Sequence, residues 1–231
     1  MTVYLFKPYP IQSIPTKGQA VRYPINRLFF VGRNYHAHAV EMGKLVDKSV
    51  ERPFYFTKAP QTLCASGSTV AYPPETSNFH FEMEMVVAIG KPGFRVSQEK
   101  AHELIYGYAA GLDMTRRDLQ GEAKKQGRPW EIGKAFERSG PVGPLHSVEK
   151  VGHLDHGRIE LKVNGALKQE GDMNQMIWKV PEMISYLSEY FELQAGDVIM
   201  SGTPSGVGAV VRGDVMEASI EGLGNLVVKV V

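Results

Sequence analysis

The chain has 231 residues, 43% hydrophobic, 22% charged and 10% aromatic, a composition and length that one large folded domain accommodates without disulfides or a structural metal. Lysine and arginine number 26 against 25 acidic residues, with neither sign gathered into runs, so the basic footprint of a nucleic-acid binder is missing. A single cysteine, Cys64, excludes an intrachain disulfide and a multi-cysteine zinc site, and it points to a reducing compartment, the cytoplasm.

Residues 1–25 carry Pro8, Pro10, Pro15 and Pro24 and read as an irregular or edge-strand lead-in to a domain over 26–231. Val3-Tyr4-Leu5-Phe6 is too short for a signal-peptide core, and no later segment reaches eighteen apolar residues, so no membrane span is expected. Leu28-Phe29-Phe30-Val31 is an apolar strand that ends at Gly32 and opens into the polar cluster Arg33-Asn34-Tyr35-His36-Ala37-His38. The aperiodic stretch Met42 to Pro53 is an insertion that serves as a lid or as an idle surface loop.

Further strands are predicted at 54–57, 81–89 and 107–114. Between the last two, Ser97 caps a helix that keeps Ala101, Leu104, Ile105 and Tyr108 on one buried face. In the second half Ile159, Leu161 and Val163 alternate with polar residues ahead of the turn dipeptide Asn164-Gly165. A helix through Val180, Met183, Ile184, Leu187 and Phe191 follows, then strands at 198–200, 215–220 and 226–231. Many short strands with few helices give a β-rich α+β class rather than a doubly wound sheet.

Several side chains interrupt this pattern. Glu82 and Glu84 sit in an apolar strand at period two and share one face, where the two anions repel unless a cation lies between them; a solvated strand face is the alternative. Asp113 follows the next strand, and three carboxylates without thiols favour Mg²⁺, Mn²⁺ or Ca²⁺ over zinc; alone, Asp113 reads equally as a helix cap. His38 and Glu41 meet if their segment is helical, and the carboxylate then raises the basicity of the imidazole. Lys58 and Lys134 each stand alone among apolar or small neighbours, as oxyanion or carboxylate clamps or as snorkelling edge residues. Gly202-Thr203-Pro204-Ser205-Gly206-Val207-Gly208 is a turn whose amides and hydroxyl could hold an anion, without the Lys-Ser/Thr ending of a P-loop.

Val31-Gly32-Arg33-Asn34-Tyr35, Phe56-Thr57-Lys58, Glu82-x-Glu84, Leu112-Asp113-Met114-Thr115, Arg117-Asp118-x-Gln120, Lys134, Val163-Asn164-Gly165 and Ser201 to Gly208 resemble, in order, the motifs of the fumarylacetoacetate hydrolase family. That resemblance implies a rolled mixed β-sheet, a homodimer, and Mg²⁺ or Mn²⁺ held by Glu82, Glu84 and Asp113. It implies a small 1,3-diketo acid substrate, with His38 and Glu41 activating water, Lys134 stabilising charge, and Arg33, Lys58, Arg117, Gln120, Gly202 and Thr203 contacting substrate. Within the family, Glu41-Met42-Gly43 and Arg52 to Lys58 are similar to hydrolases that split 3-fumarylpyruvate into fumarate and pyruvate during aromatic degradation. Residues 113–140 are equally similar to small acylpyruvate hydrolases that also decarboxylate oxaloacetate; a metal- or ligand-binding module without turnover is the remote alternative.

Overall fold

The computed structural model describes residues 3–231. Strand Met83–Ile89 is buried along its whole length and explains the layering around it. Successive side chains of a strand point to opposite faces, so Met85, Val87 and Ile89 enter one core while Val86 and Ala88 enter another. A strand buried on both sides needs no polar alternation, which is why the sequence is continuously apolar here.

This strand lies inside an eight-stranded mixed sheet with the path Phe54–Lys58, Leu28–Gly32, Val198–Met200, Met83–Ile89, Ile105–Leu112, Gly140–Val142 and Leu63–Ala65; His146–Ser147 also pairs with Ile105–Leu112. One face packs on a five-stranded sheet, ordered Ala166–Asp172, Arg158–Val163, Val215–Ile220, Gly224–Val230 and Thr69–Val70, and on helix Val180–Tyr190. Ile159, Leu161, Met216, Ala218, Leu226 and Val228 from that sheet share a core with Met183, Ile184 and Leu187 of the helix. On the other face, Ser13–Pro15 pairs with Arg22–Pro24 as a small hairpin. It lays Ile14, Tyr23 and Ile25 over Leu28, Phe30, Val86, Ala109 and Met200. The Tyr23 hydroxyl donates to the Ile89 carbonyl at 2.6 Å, which ties the lead-in to the central strand.

The β-rich α+β class predicted from the sequence is the one observed, with local departures. The Ser97 helix spans only Gln98–Ala101, followed by the 3₁₀ turn His102–Leu104, and Ile105 already belongs to strand Ile105–Leu112. Ile105 and Tyr108 are buried in that strand, and the apolar spacing there mimics a helical face. The strand expected at 81–89 is broken at Glu82. Phe79–Phe81 joins Thr115–Arg116 and Gly208–Ala209 in a separate three-stranded sheet, and that break is where the chemistry gathers. Asp113 caps no helix: helix Arg117–Lys125 starts after Arg116, with Asp118 in its first turn. Asn164 and Gly165, at φ +52° and +80°, form the tight hairpin turn as predicted. No helix among the described residues is long and apolar enough to cross a membrane.

Two glycines test this packing in opposite directions. A Cβ on Gly107 would sit 2.1 Å from the His146 carbonyl oxygen, a backbone atom of the adjoining strand, whereas one on Gly121 in helix Arg117–Lys125 meets open space. Gly107→Ala is expected to destabilise by about 3 kcal/mol, the upper range for overpacking, and Gly121→Ala to stabilise by about 0.5–1 kcal/mol, both read from urea unfolding.

Candidate active site

Strand register assembles the acidic cluster. Met83 pairs with Leu112 and Glu84 with Gly111, and the Asp113 N–H donates to the Glu82 carbonyl at 2.9 Å, extending the ladder by one pair. Directly opposed residues share a face, so Asp113 faces Glu82 and joins Glu84 on the side of the sheet that holds Val86 and Ala109. Gly111 keeps the space beside Glu84 small, since a Cβ there would lie 2.7 Å from Met200 and Val86. One ligand oxygen from each of Glu82, Glu84 and Asp113 lies within 4.8 Å of the others, and all three residues are buried.

Cations surround two members of this cluster and leave the third without one. Lys134, at the end of helix Glu131–Lys134, donates to Glu82 at 2.9 Å, to Asp113 and to the Thr115 hydroxyl at 2.8 Å. Arg117 pairs with Glu82 and also donates to Gln120. Lys58 pairs with Asp113 at 2.6 Å and donates to the carbonyls of Met114 and Ser139. Among the described residues, Glu84 accepts only the Gly202 N–H, at 2.9 Å.

The electrostatics follow this division. Burial alone would raise Glu82, but the charges of Lys134 and Arg117 outweigh it and hold the carboxyl below the usual range. Burial, then the charges of Asp113 and Glu82, push Glu84 well above that range. Burial pulls Lys58 down to about 8 against the opposing attraction of Asp113, while for Lys134 the attraction of Asp113 and Glu82 exceeds burial and raises it. The set therefore fits a small hard cation: only oxygen donors, close together, with Glu84 the carboxyl that has no cationic side chain paired to it among the described residues.

Helix His36–Glu41 supplies a second pair. His38, 5% exposed, meets Glu41 across one turn, Nδ1 to Oε2 at 3.0 Å, as the i, i+3 spacing predicts. Glu41 also accepts the Gly206 N–H at 3.1 Å, which fastens the helix to the 202–208 loop. Two of that loop's amides, those of Gly202 and Gly206, are thus spent on Glu84 and Glu41. The Thr203 hydroxyl accepts from the Gln169 amide at 2.8 Å and keeps its own proton to donate.

A cavity of about 150 Å³ brings Arg33, His38, Glu82, Glu84, Asp113, Arg117, Gln120, Lys134, Gly202 and Thr203 onto one wall system. Lys58, expected to contact substrate, does not line this cavity; it is enclosed behind Asp113 with its N–H groups committed. Met42, Phe56, Lys124 and Trp130 also line the cavity; the family motifs contain Met42 and Phe56 without marking them as site residues, and they leave out Lys124 and Trp130. Phe56 and Trp130 carry no periodic signal, but Lys124 stands seven residues after Arg117 on a common helical face and could have been found that way. His36 lies outside this cavity.

Fold and cavity together define a carboxylate-lined enzyme site of a recognised class. Residues 27–231 match the family model described as fumarylacetoacetate (FAA) hydrolase C-terminal, and the chain belongs to that family. It is 57% identical over 185 residues to a fumarylpyruvate hydrolase from a Ralstonia species, covering 80% of this chain and 96% of the relative. It is 42% identical over 200 residues to the human mitochondrial oxaloacetate tautomerase FAHD1, covering 87% and 89% of the two chains. The crystal structure of fumarylpyruvate hydrolase from Pseudomonas aeruginosa in complex with Mn²⁺ and pyruvate superposes with a TM-score of 0.95 at 49% identity, covering 99% of each chain.

Asn34 holds the walls of this cavity together. Its buried side chain donates to the carbonyls of Trp178 (3.0 Å) and Ser201 (2.8 Å) and accepts the Trp178 N–H at 2.7 Å, joining three loops. Asn34→Ala, which strands these groups, is expected to cost about 2–4 kcal/mol in denaturant unfolding.

Proposed function

We propose that this chain is a carbon–carbon hydrolase, dependent on Mg²⁺ or Mn²⁺, that cleaves 3-fumarylpyruvate to fumarate and pyruvate. The observation that carries the reading is the buried oxygen triad of Glu82, Glu84 and Asp113, whose Glu84 has no cationic partner among the described residues, in the same cavity as His38, which Glu41 holds from behind. Full-length likeness to a fumarylpyruvate hydrolase crystallised with Mn²⁺ and pyruvate supports the same substrate and cation.

Glu82, Glu84 and Asp113 hold the cation, which when bound supplies Lewis-acid stabilisation of the negative charge developing on the pyruvate half. His38 takes a proton from the attacking water through Nε2, because Glu41 occupies the Nδ1 side of the ring. The water oxygen bonds to the fumaryl carbonyl carbon, the bond from that carbon to the pyruvate methylene breaks, and the electron pair leaves with pyruvate, which is then protonated. Lys134 places its charge at the attacked carbonyl by exchanging one of its carboxylate bonds. Arg117 and Gln120, already joined to each other, and the Thr203 hydroxyl orient the keto acid, while Arg33 lines the same cavity and contacts the acyl half. The engaged Gly202 amide orients Glu84, and Lys58 acts through Asp113.

The working form is a cytoplasmic homodimer. The single cysteine supports a reducing setting, and exposed Leu5, Phe6, Tyr9 and Ile11 offer apolar surface for a second copy. A second reading, acylpyruvate hydrolysis or oxaloacetate chemistry at the same site, is favoured by the likeness to an oxaloacetate tautomerase.

The ultraviolet absorbance of fumarylpyruvate, followed beside matched acetylpyruvate and oxaloacetate reactions, separates these readings. Fumarylpyruvate is expected to disappear fastest, with loss of activity in EDTA and recovery on adding Mg²⁺. His38→Ala should lower hydrolysis by roughly 10²–10⁴-fold, the usual worth of a positioned base, while sparing any decarboxylation, which needs no activated water.

A further inference from the structure

The cavity carries more positive charge than its acidic cluster uses. Four cationic side chains line it: Arg33, Arg117, Lys124 and Lys134. Arg117 and Lys134 are spent on Glu82, Asp113 and Gln120. Arg33 and Lys124 make no ion pair or side-chain hydrogen bond among the described residues, so these two face the cavity with their donors free.

Arg33 is held there at a conformational cost. Its φ is +57°, a region that a side chain with a Cβ avoids, and the turn around it leaves no slack. A Cβ on the preceding Gly32 would lie 2.5 Å from the Phe54 ring, and the following Asn34 is locked into its buried network. The Arg33 guanidinium rests 5.9 Å from the centroid of Phe54.

A row of aromatic rings runs from Lys134 to Arg33. Lys134 Nζ lies 5.2 Å from the Phe56 centroid, Phe56 is 6.2 Å from Phe54, and Phe54 lies beneath Arg33. Trp130 packs on both rings, at 5.0 Å and 5.7 Å. Helix Arg117–Lys125 also leads away from the acidic cluster along the cavity: Arg117, paired with Glu82, and Lys124 share a face seven residues apart, about 10 Å along the axis.

We propose that Arg33 and Lys124 form a second anion subsite, which takes the carboxylate at the far end of the acyl group and selects acylpyruvates whose acyl half is itself an acid. The inference rests on the hydrolase reading above and adds the residues that choose the acyl half. Fumarylpyruvate fits the dimensions: its two carboxylate carbons are six bonds apart, roughly 7–8 Å when extended, within the span between the two charged ends. Its flat conjugated acyl chain lies along the aromatic wall, and its terminal charge meets the two free cations.

The test uses keto acids that lack the cleavable 1,3-dicarbonyl, so binding is read apart from turnover. Mn²⁺-loaded protein is titrated calorimetrically with 2-oxoheptanedioate and with 2-oxoheptanoate, which differ only in the terminal carboxylate. The wild-type chain is expected to bind the dioate at least tenfold more tightly. Arg33→Gln and Lys124→Gln should each lower that preference several-fold, the double variant should abolish it, and Arg33→Lys should restore part of it, with 2-oxoheptanoate affinity unchanged within twofold. Lys124 is exposed, so its variant folds even if the strained turn at Arg33 tolerates no change. No preference in the wild-type chain, or full preference in the double variant, overturns the proposal. Failure to hydrolyse fumarylpyruvate in the same preparation would overturn the hydrolase reading instead, leaving the binding preference to be judged on its own result.

Discussion

Three carboxylates buried at the junction of two strands are the constraint on which the rest of this molecule depends. Ionised carboxyls out of water are expensive, and the chain offsets them with cations drawn from separate elements: Lys58 from an edge strand, Lys134 and Arg117 from two short helices. Each cation pairs with Glu82 or Asp113, and among the described residues none forms an ion pair with Glu84. Glu84 is left with one backbone N–H among the described residues, so a proton or a metal cation has to complete its pairing.

The fold makes such a cluster affordable by surrounding it with cores on both faces. Met85, Val87 and Ile89 pack toward the five-stranded sheet, while Val86 and Ala88 pack under the N-terminal hairpin, so the strand that carries Glu84 cannot shift to relieve repulsion. The loops around the cavity are fixed in the same way, through Asn34 and through Glu41, which bonds both His38 and Gly206. Preorganised donors and acceptors of this kind place charge where a reaction needs it without rearrangement during the reaction.

Much of the site was legible in the sequence because its signals are local. Glu82 and Glu84 stand at period two in an apolar strand, His38 and Glu41 at helical spacing, and Lys58 and Lys134 alone among apolar neighbours. That Asp113 belongs opposite Glu82 depends on strand register, and the residues alone left it open as a helix cap; the family motifs chose between the two. The family resemblance implies Lys58 as a substrate ligand, and nothing local in the sequence shows that Asp113, Met114 and Ser139 already satisfy its ammonium group. The aromatic wall of Phe54, Phe56 and Trp130 and the Gly202 amide on Glu84 are contacts between segments far apart in sequence, with no periodic trace. The apolar spacing after Ser97 predicts a longer helix than the one that forms, because a strand buried on both faces can imitate helical spacing over a few residues.

On this reading one divalent cation completes the cluster of Glu82, Glu84 and Asp113. Calorimetric titration of metal-free protein with Mn²⁺, beside the Glu84→Gln variant, tests it without reference to any substrate. One site per chain in the wild type, lost or weakened by at least tenfold in Glu84→Gln, is the predicted result. Binding of equal strength and stoichiometry in the variant, or no binding in the wild type, would contradict the account.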